Sequence, residues 1–228
     1  GGVTSFLDMP NNHPPITDRI RLQEKRELAS NKCLVNYGFF IGATPDNLEE
    51  LNSAENICGI KIFMGSSTGS LLVSQDRDLE KIFAQGTKLI AVHAEDESLM
   101  CDNLELLRNI SEVEAHPRIR DEAVALRATE RAVEFSLKYQ RRLHVLHLTT
   151  EEETRLLARL PRSHRITAEV SPQHLILNAP ECYRQLGTLA QMNPPIRSAR
   201  HRRSLWKALK AGLIDCIATD HAPHTLAE

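Results

Sequence analysis

The sequence lacks the features that mark several large classes of protein. Its five cysteines lie far apart with no Cys-x-x-Cys pair, which argues against a disulfide framework and against a thiolate zinc site. The 28 Lys and Arg residues nearly balance 30 Asp and Glu residues, so no broad basic surface for nucleic acid or an anionic membrane is expected. With 25% charged residues, the chain is too polar for a membrane span. These absences favour a globular protein in the reducing cytoplasm.

Nucleotide-binding signatures are also absent. No glycine-rich loop of the Gly-x-Gly-x-x-Gly or Walker type follows the first apolar segment. The first seven residues carry neither a start methionine nor the charged region of a signal peptide. Because the chain opens directly on a predicted strand, we expect further sequence to precede it.

The sequence does contain an alternation of short apolar segments with longer segments of helical period. The predicted strands are residues 3–7, 34–41, 59–64, 89–93, 143–148, 166–170 and 213–218. The predicted helices are residues 18–29, 79–84, 121–138, 151–160 and 199–211, with Thr17, Thr150 and Ser198 as N-caps. This alternation predicts parallel strands with right-handed crossovers, in an open doubly wound sheet or a closed (β/α)8 barrel.

Polar residues at the ends of the predicted strands favour the barrel. In strand order these residues are Asn11, Lys61, His93, His147 and Asp220. Chemistry gathered at the carboxyl ends of many strands is typical of a barrel active site. The sequence therefore predicts a (β/α)8 barrel, although seven strands are one fewer than such a barrel needs.

Two of these polar residues are histidines that end apolar segments. A lone histidine in this position is more often a hydrogen-bonded core residue than a metal ligand. His93 and His147 end two such strands. Residues 218–224 add an aspartate and two histidines, and together these residues strengthen the case for a metal site. Imidazole and carboxylate are the ligands of catalytic zinc, which keeps one position open for water.

Lys61 stands in the middle of an apolar strand. A buried lysine costs several kcal/mol unless it is paired, neutralised or chemically modified. The alternative is a lysine at the edge of the strand whose ammonium group reaches solvent. The sequence leaves both interpretations open.

Seven segments of the chain form a recognisable series. They are residues 1–11 (GGVTSFLDMPN), 59–64 (GIKIFM), 92–95 (VHAE), 145–148 (VLHL), 169–175 (EVSPQHL), 193–197 (NPPIR) and 218–225 (ATDHAPHT). Together they resemble the dihydroorotase family, the cyclic amidohydrolases of pyrimidine biosynthesis within the amidohydrolase superfamily of metal-dependent (β/α)8 barrels. They occur in the order of the family and cover almost the whole chain.

The resemblance implies a metal centre with two zinc ions, bridged by a carboxylated Lys61 and a hydroxide. It matches His93 and His147 to the two imidazole ligands of the more buried zinc ion. It matches Asp220 to the aspartate that ligates the other zinc ion and acts as the general acid and base. Carboxylation would turn the buried cation of Lys61 into an anionic ligand, which removes the cost of burying it.

The resemblance also implies a substrate-binding set. Asn11 and His224 match residues that hold the carboxylate of the substrate. Asn193 and Arg197 lie in the matching loop, where we expect backbone contacts with the pyrimidine ring more than side-chain chemistry. His144 and His174 are neighbours of these motifs, and we expect them to make structural hydrogen bonds.

The reaction implied is the reversible zinc-dependent hydrolysis of dihydroorotate to N-carbamoyl-aspartate. Besides this small-molecule substrate, the expected partners are a second copy of the chain in a homodimer and aspartate carbamoyltransferase. Neither nucleic acid nor a membrane is expected as a partner.

Three alternatives stay open at this point. Allantoinase and hydantoinase or dihydropyrimidinase share the lysine and histidine ligands, whereas Asn11 and His224 favour a substrate that carries a carboxylate. The third alternative is a catalytically inactive relative that serves as a scaffold for aspartate carbamoyltransferase. The presence of Lys61, His93, His147 and Asp220 argues against it, because inactive relatives usually lose ligands.

The family pattern begins with a His-x-His pair on the first barrel strand, and this sequence contains no such pair. We therefore interpret residues 1–228 as one catalytic barrel domain that holds strands two to eight, without the first strand and the C-terminal elements.

We predict that the 228-residue chain alone is inactive and poorly stable. Two zinc ligands would be missing, and the first and last strands would lack the partner between them. An assay of dihydroorotate conversion by the purified chain tests this prediction. A rate near that of full-length dihydroorotases would contradict it.

Overall fold

The computed structural model describes residues 2–66, 71–110, 112–161 and 165–223. Seven parallel strands form one sheet. They are β1 (Ser5–Asp8), β2 (Asn36–Gly42), β3 (Gly59–Phe63), β4 (Ile90–His93), β5 (Leu143–Val145), β6 (Ile166–Val170) and β7 (Cys216–Ile217). All seven predicted strands are thus confirmed, although β5 and β7 are much shorter than predicted.

The order of the strands distinguishes the two predicted architectures. Each strand pairs with the next one in the sequence, from β1 through to β7. A doubly wound sheet reverses its strand order at a switch point, and the described strands contain no such reversal. The sheet curls into part of a (β/α)8 barrel. The barrel prediction is confirmed, and the doubly wound alternative is wrong.

Helices connect the strands. They are α1 (Arg19–Lys32), α2 (Leu48–Ser53), α3 (Asp76–Ala84), α4 (Glu97–Leu106), α5 (His116–Ile119), α6 (Glu122–Lys138), α7 (Glu151–Arg159), α8 (Pro172–Ile176), α9 (Glu181–Leu186) and α10 (Ala199–Lys210). Two 3₁₀ turns cover Val113–Ala115 and Gly187–Ala190. The five predicted helices correspond to α1, α3, α6, α7 and α10. None of the described helices is long and apolar enough to cross a membrane.

The three predicted N-caps have different outcomes. Thr150 caps α7 in a reciprocal capping box with Glu153, as predicted. The prediction of Thr17 as the N-cap of α1 is wrong. Asp18 caps this helix, because its side chain accepts a hydrogen bond from the backbone N–H of Arg21 at 2.8 Å. Ser198 occupies the N-cap position of α10, but its side chain makes no capping hydrogen bond.

The register of the sheet separates an apolar face from a polar one. Paired residues of neighbouring parallel strands point to the same face, and faces alternate along each strand. One row of paired residues is apolar and buried: Ile62, Val92, Val145 and Ala168. The adjacent row is Lys61, Ala91, His144 and Thr167. We call the side that carries Lys61 the polar face.

The apolar face packs against the helices. Its side chains join Leu79, Phe83, Ala128 and Leu157 in one hydrophobic cluster. A smaller cluster around Tyr183 and Ile196 lies apart from this core and anchors the segment between α9 and α10. With the helices on one side, the polar face and the carboxyl ends of the strands are left for the site.

The caps of α7 and α10 generate a matched prediction. Thr150 is fully buried, and its hydroxyl accepts from the backbone N–H of Glu153 at 3.1 Å. We expect Thr150→Ala to lower the free energy of unfolding by about 1–2 kcal/mol, because a helix donor loses its partner. Ser198→Ala is the control, and we expect it to change stability by less than about 0.5 kcal/mol. Urea unfolding measures both, and equal losses would contradict the assignment.

Candidate active site

His93 and His147 meet at the carboxyl ends of two neighbouring strands. His93 is the last residue of β4, and His147 follows β5 by two residues. Both are buried, and Nδ1 of His93 lies 3.2 Å from Nε2 of His147. Two zinc–nitrogen bonds of about 2.0–2.1 Å at a tetrahedral angle would place the nitrogens about 3.3 Å apart. The pair therefore fits two ligands of a single zinc ion.

Glu95 and Arg120 fix the orientation of His93. The carboxylate of Glu95 is fully buried and lies 2.8 Å from Nε2 of His93. The guanidinium group of Arg120 pairs with the same carboxylate and donates to the carbonyl of Ser66 at 2.6 Å. Since Nε2–H donates to Glu95, the lone pair of Nδ1 points toward His147. A histidine held by a carboxylate in this way is typical of metal ligands.

Electrostatics keep both imidazoles neutral. Burial lowers the pKa of His93, although its hydrogen bond to Glu95 opposes the shift. Burial lowers the pKa of His147 well below its usual value, and the proximity of His93 and Lys61, which would carry positive charge when protonated, lowers it further. Neutral imidazole is the form that binds metal.

The backbone at two of the predicted ligands is strained. His147 has φ 36° and Asp220 has φ 47°, in the left-handed region that non-glycine residues seldom occupy. Such conformations persist where the surrounding structure enforces them, and they cluster at functional sites. Both residues lie just beyond the end of a strand, where this turn redirects the side chain.

Lys61 lies on the polar face with only 3% of its surface exposed, so the alternative of a lysine that reaches solvent is wrong. Its Nζ lies 4.4 Å from the centre of the Phe63 ring. Burial lowers the pKa of Lys61 to about 7, while the charges of Asp220 and Glu169 oppose the shift. A large fraction of this amine is therefore neutral near pH 7, and a neutral amine is the nucleophilic form.

Asp220 follows β7 and lies close enough to Lys61 and His93 to feel their charges. Partial desolvation raises the pKa of Asp220, although the charges of Lys61 and His93 act in the opposite direction. The residue as a whole stays exposed to solvent. A carboxyl group with a raised pKa at a solvent-accessible strand end suits proton transfer.

The predicted substrate-binding residues lie on separate loops. Asn11 is half-buried in the loop after β1. Asn193 is half-buried before a cis peptide bond to Pro194, whose carbonyl accepts a hydrogen bond from Nε2 of His174 at 3.1 Å. His224 lies outside the described residues. The structure thus brings together Lys61, His93, His147 and Asp220, and it places Asn193 on a loop anchored by His174.

The hydrogen bonds expected of two histidines are present. Nδ1 of His174 accepts from the hydroxyl of Ser171 at 2.6 Å, and burial lowers its pKa to about 4. His144 is hydrogen bonded to Thr167 and Glu169 across β5 and β6. The neutral His174 therefore acts as a fixed hydrogen-bonding link to the loop that carries Asn193.

The roles of three side chains were not predicted from the sequence. Arg197 was expected to act mainly through its backbone, yet its guanidinium group is buried and donates to Thr149 and to the carbonyls of Arg120 and Pro117. It thereby joins three loops around the site. Glu95 and Arg120 were given no role. The position of Glu95, two residues after His93, could have indicated a carboxylate that binds this histidine.

The comparisons with known proteins agree with this geometry. The chain is 34% identical over 242 residues to a dihydroorotase of Methanosarcina acetivorans, covering 100% of this chain and 51% of that protein. It is 32% identical to an allantoinase of Streptomyces avermitilis, covering 99% of this chain and 52% of that protein. The structure of an L-hydantoinase from Arthrobacter aurescens superposes with a TM-score of 0.92 at 26% identity, covering 100% of this chain and 52% of that one. A scan against protein-family profiles finds no match.

These relatives are all cyclic amide hydrolases, and the chain is homologous to them over essentially its whole length. The resemblance to the dihydroorotases, first seen in seven short segments, extends over the complete chain at 30–34% identity and is thus confirmed. The chain spans about half the length of the curated relatives it matches.

The burial of Lys61 predicts a specific pH dependence of stability. The folded-state pKa of about 7 lies below the ordinary value of 10.5, so the unfolded chain binds the extra proton between these values. The free energy of unfolding should therefore rise with pH above 7, by up to about 1.4 kcal/mol per pH unit. We expect the free energy of unfolding of Lys61→Met to lose this rise with pH, whereas that of the exposed control Lys207→Met keeps it. Urea unfolding at pH 7, 8 and 9 measures the slopes, and equal slopes for the wild type and Lys61→Met would contradict the assignment.

Proposed function

We propose that this chain forms part of the catalytic barrel of a dihydroorotase, which interconverts dihydroorotate and N-carbamoyl-aspartate. One observation carries the proposal. Two neutral histidines, a buried lysine and an aspartate converge at the carboxyl ends of the strands, in a chain homologous to cyclic amide hydrolases. This is the arrangement expected of metal-assisted amide hydrolysis on a barrel.

Dihydroorotate is preferred to the substrates of the other relatives for a chemical reason. It carries a carboxylate, and the resemblance matches Asn11 and His224 to residues that hold that group. The dihydroorotase named above is 34% identical to the chain, the allantoinase 32% and the hydantoinase 26%. The presence of all four predicted ligands supports an active enzyme over an inactive scaffold.

The residues present fit a metal centre. His93 and His147 would hold one ion through the two nitrogens that face each other, Asp220 would hold the second, and a carboxylated Lys61 would bridge them. Zinc is the metal that this donor set suits. Two zinc ions, when bound, would supply an activated water molecule and would polarise the carbonyl group of the ring.

Lys61 is suited to carboxylation. Its neutral amine attacks carbon dioxide, the nitrogen–carbon bond forms, and one proton leaves the nitrogen to give an anionic carbamate. The pKa of about 7 supports this step, because only the neutral amine has the required lone pair. The product is an anion in a site that disfavours the lysine cation.

Asp220 moves the proton of the reaction. Its carboxylate accepts a proton from the attacking water and gives it to the ring nitrogen as the amide bond breaks. The raised pKa of Asp220 supports both halves of this transfer. In the direction of ring closure, the same carboxyl group takes the proton from the nitrogen. Arg197 and His174 keep the surrounding loops in place.

The setting follows from the reaction. We place the protein in pyrimidine biosynthesis in the cytoplasm, with a homodimer and a complex with aspartate carbamoyltransferase as the proposed assemblies.

The experiment is a comparison of substrates with the full-length gene product. We expect turnover of dihydroorotate to exceed that of hydantoin and allantoin by at least about a hundredfold, because a site built for a carboxylate rejects substrates without one. Asp220→Asn should abolish the activity, and the exposed control Asp102→Asn should retain it. Faster turnover of hydantoin or allantoin, or full activity of Asp220→Asn, would contradict the proposal.

A further inference from the structure

A second group of metal-ligand side chains lies on the polar face and shares no residue with the four discussed above. His144 on β5, Glu169 on β6 and Cys216 on β7 come from three adjacent strands. The pairing of Glu169 with Cys216 and of His144 with Thr167 turns all three toward the same face. One ligand atom from each lies within 4.8 Å of the other two.

We propose that His144, Glu169 and Cys216 form a binding site for a single transition-metal ion of borderline softness, with zinc as its natural occupant. Thiolate, imidazole and carboxylate are the three ligand types that zinc accepts in proteins. The combination of sulfur with nitrogen disfavours the hard cations magnesium and calcium, which prefer oxygen ligands.

The distances fit such an ion. Nε2 of His144 lies 3.0 Å from Oε2 of Glu169. Bonds of about 2.0–2.2 Å to nitrogen and oxygen and about 2.3 Å to sulfur place tetrahedral ligand atoms about 3.3–3.6 Å apart. The nitrogen–oxygen distance lies near this spacing, and the sulfur of Cys216 lies within 4.8 Å of both atoms, so side-chain movements of about an ångström would complete the site.

The opposite side of the His144 ring is also held. The hydroxyl of Thr167 lies 2.8 Å from Nδ1 of His144 and itself donates to the carbonyl of Leu143 at 3.3 Å. Because its proton is committed to that carbonyl, the hydroxyl oxygen accepts from Nδ1–H. This leaves Nε2 as the nitrogen that faces Glu169 and Cys216, and a bound ion would replace the proton that hydrogen bonds to these two residues hold on the ring. Metal-binding histidines are oriented by the same kind of hydrogen bond on the other ring nitrogen.

The site is accessible yet sheltered. The side chains of His144 and Glu169 are 15% and 12% exposed, whereas Cys216 is exposed. Three protein ligands would leave one position for water, as in exchangeable and catalytic zinc sites rather than in closed structural ones.

Cobalt titration of the full-length gene product tests this proposal directly. Cobalt(II) substitutes for zinc, and a cobalt–thiolate bond gives a charge-transfer absorption band in the near ultraviolet. The predicted ligands of the main site include no cysteine, so this band does not arise from the main site. We expect saturation at about one thiolate-bound ion per chain in the wild type.

Matched cysteine variants locate the bond. Cys216→Ser should abolish the band, and so should His144→Ala. Cys101→Ser removes an exposed thiol on α4 and should leave the band unchanged. Circular dichroism spectra that match the wild type establish that each variant is folded. In the wild type, zinc should also protect Cys216 from iodoacetamide, as read by peptide mass spectrometry, while Cys101 is alkylated at the same rate with and without the ion.

Three results would overturn the proposal: no band in the folded wild type, a band that persists in Cys216→Ser, or equal loss in Cys101→Ser. None of them would bear on the proposed dihydroorotase activity, because that site uses other ligands.

Discussion

The burial of Lys61 is the constraint on which the site depends. An ammonium group at the centre of a parallel sheet has lost its hydration, and the nearby charges of Asp220 and Glu169 offset only part of that cost. The lysine therefore gives up its proton far more readily than a lysine in water does. Because the same face carries His93, a positive charge on Lys61 would also repel a metal ion bound there. The chemistry of the site and the stability of the sheet both favour an uncharged or anionic side chain at this position.

The register of the sheet transmits this constraint to the neighbouring strands. Lys61 pairs with Ala91, two residues before His93, so the small side chain of Ala91 leaves space beside the lysine. The rows that face the helices are apolar throughout, which holds the strands in place while their ends carry polar groups. A buried ion pair stabilises little unless its hydrogen bonds are complete. Glu95 and Arg120 are accordingly bound further, to His93 and to the carbonyl of Ser66.

Much of this arrangement could be predicted from sequence because it rests on local pattern. Alternating apolar segments gave all seven strands, and the strand-end residues His93 and His147 gave the location of the site. The helix α4 was missed because its apolar residues follow no clear helical period, and only Met100 of its side chains is buried. The cap at Asp18 was missed because Thr17 beside it was an equally good candidate. The role of Arg197 depends on three loops distant in sequence, and no local pattern encodes their meeting. The proximity of His144, Glu169 and Cys216 likewise depends on the register between strands.

The chemical state of Lys61 is the most direct test of this account. Carbon-13 NMR of the zinc-loaded, full-length gene product in ¹³C-labelled bicarbonate would detect a carbamate on a lysine side chain. We predict one slowly exchanging carbamate signal that disappears in Lys61→Met and persists in the exposed control Lys207→Met. A spectrum without a carbamate signal, or a signal that survives in Lys61→Met, would contradict it.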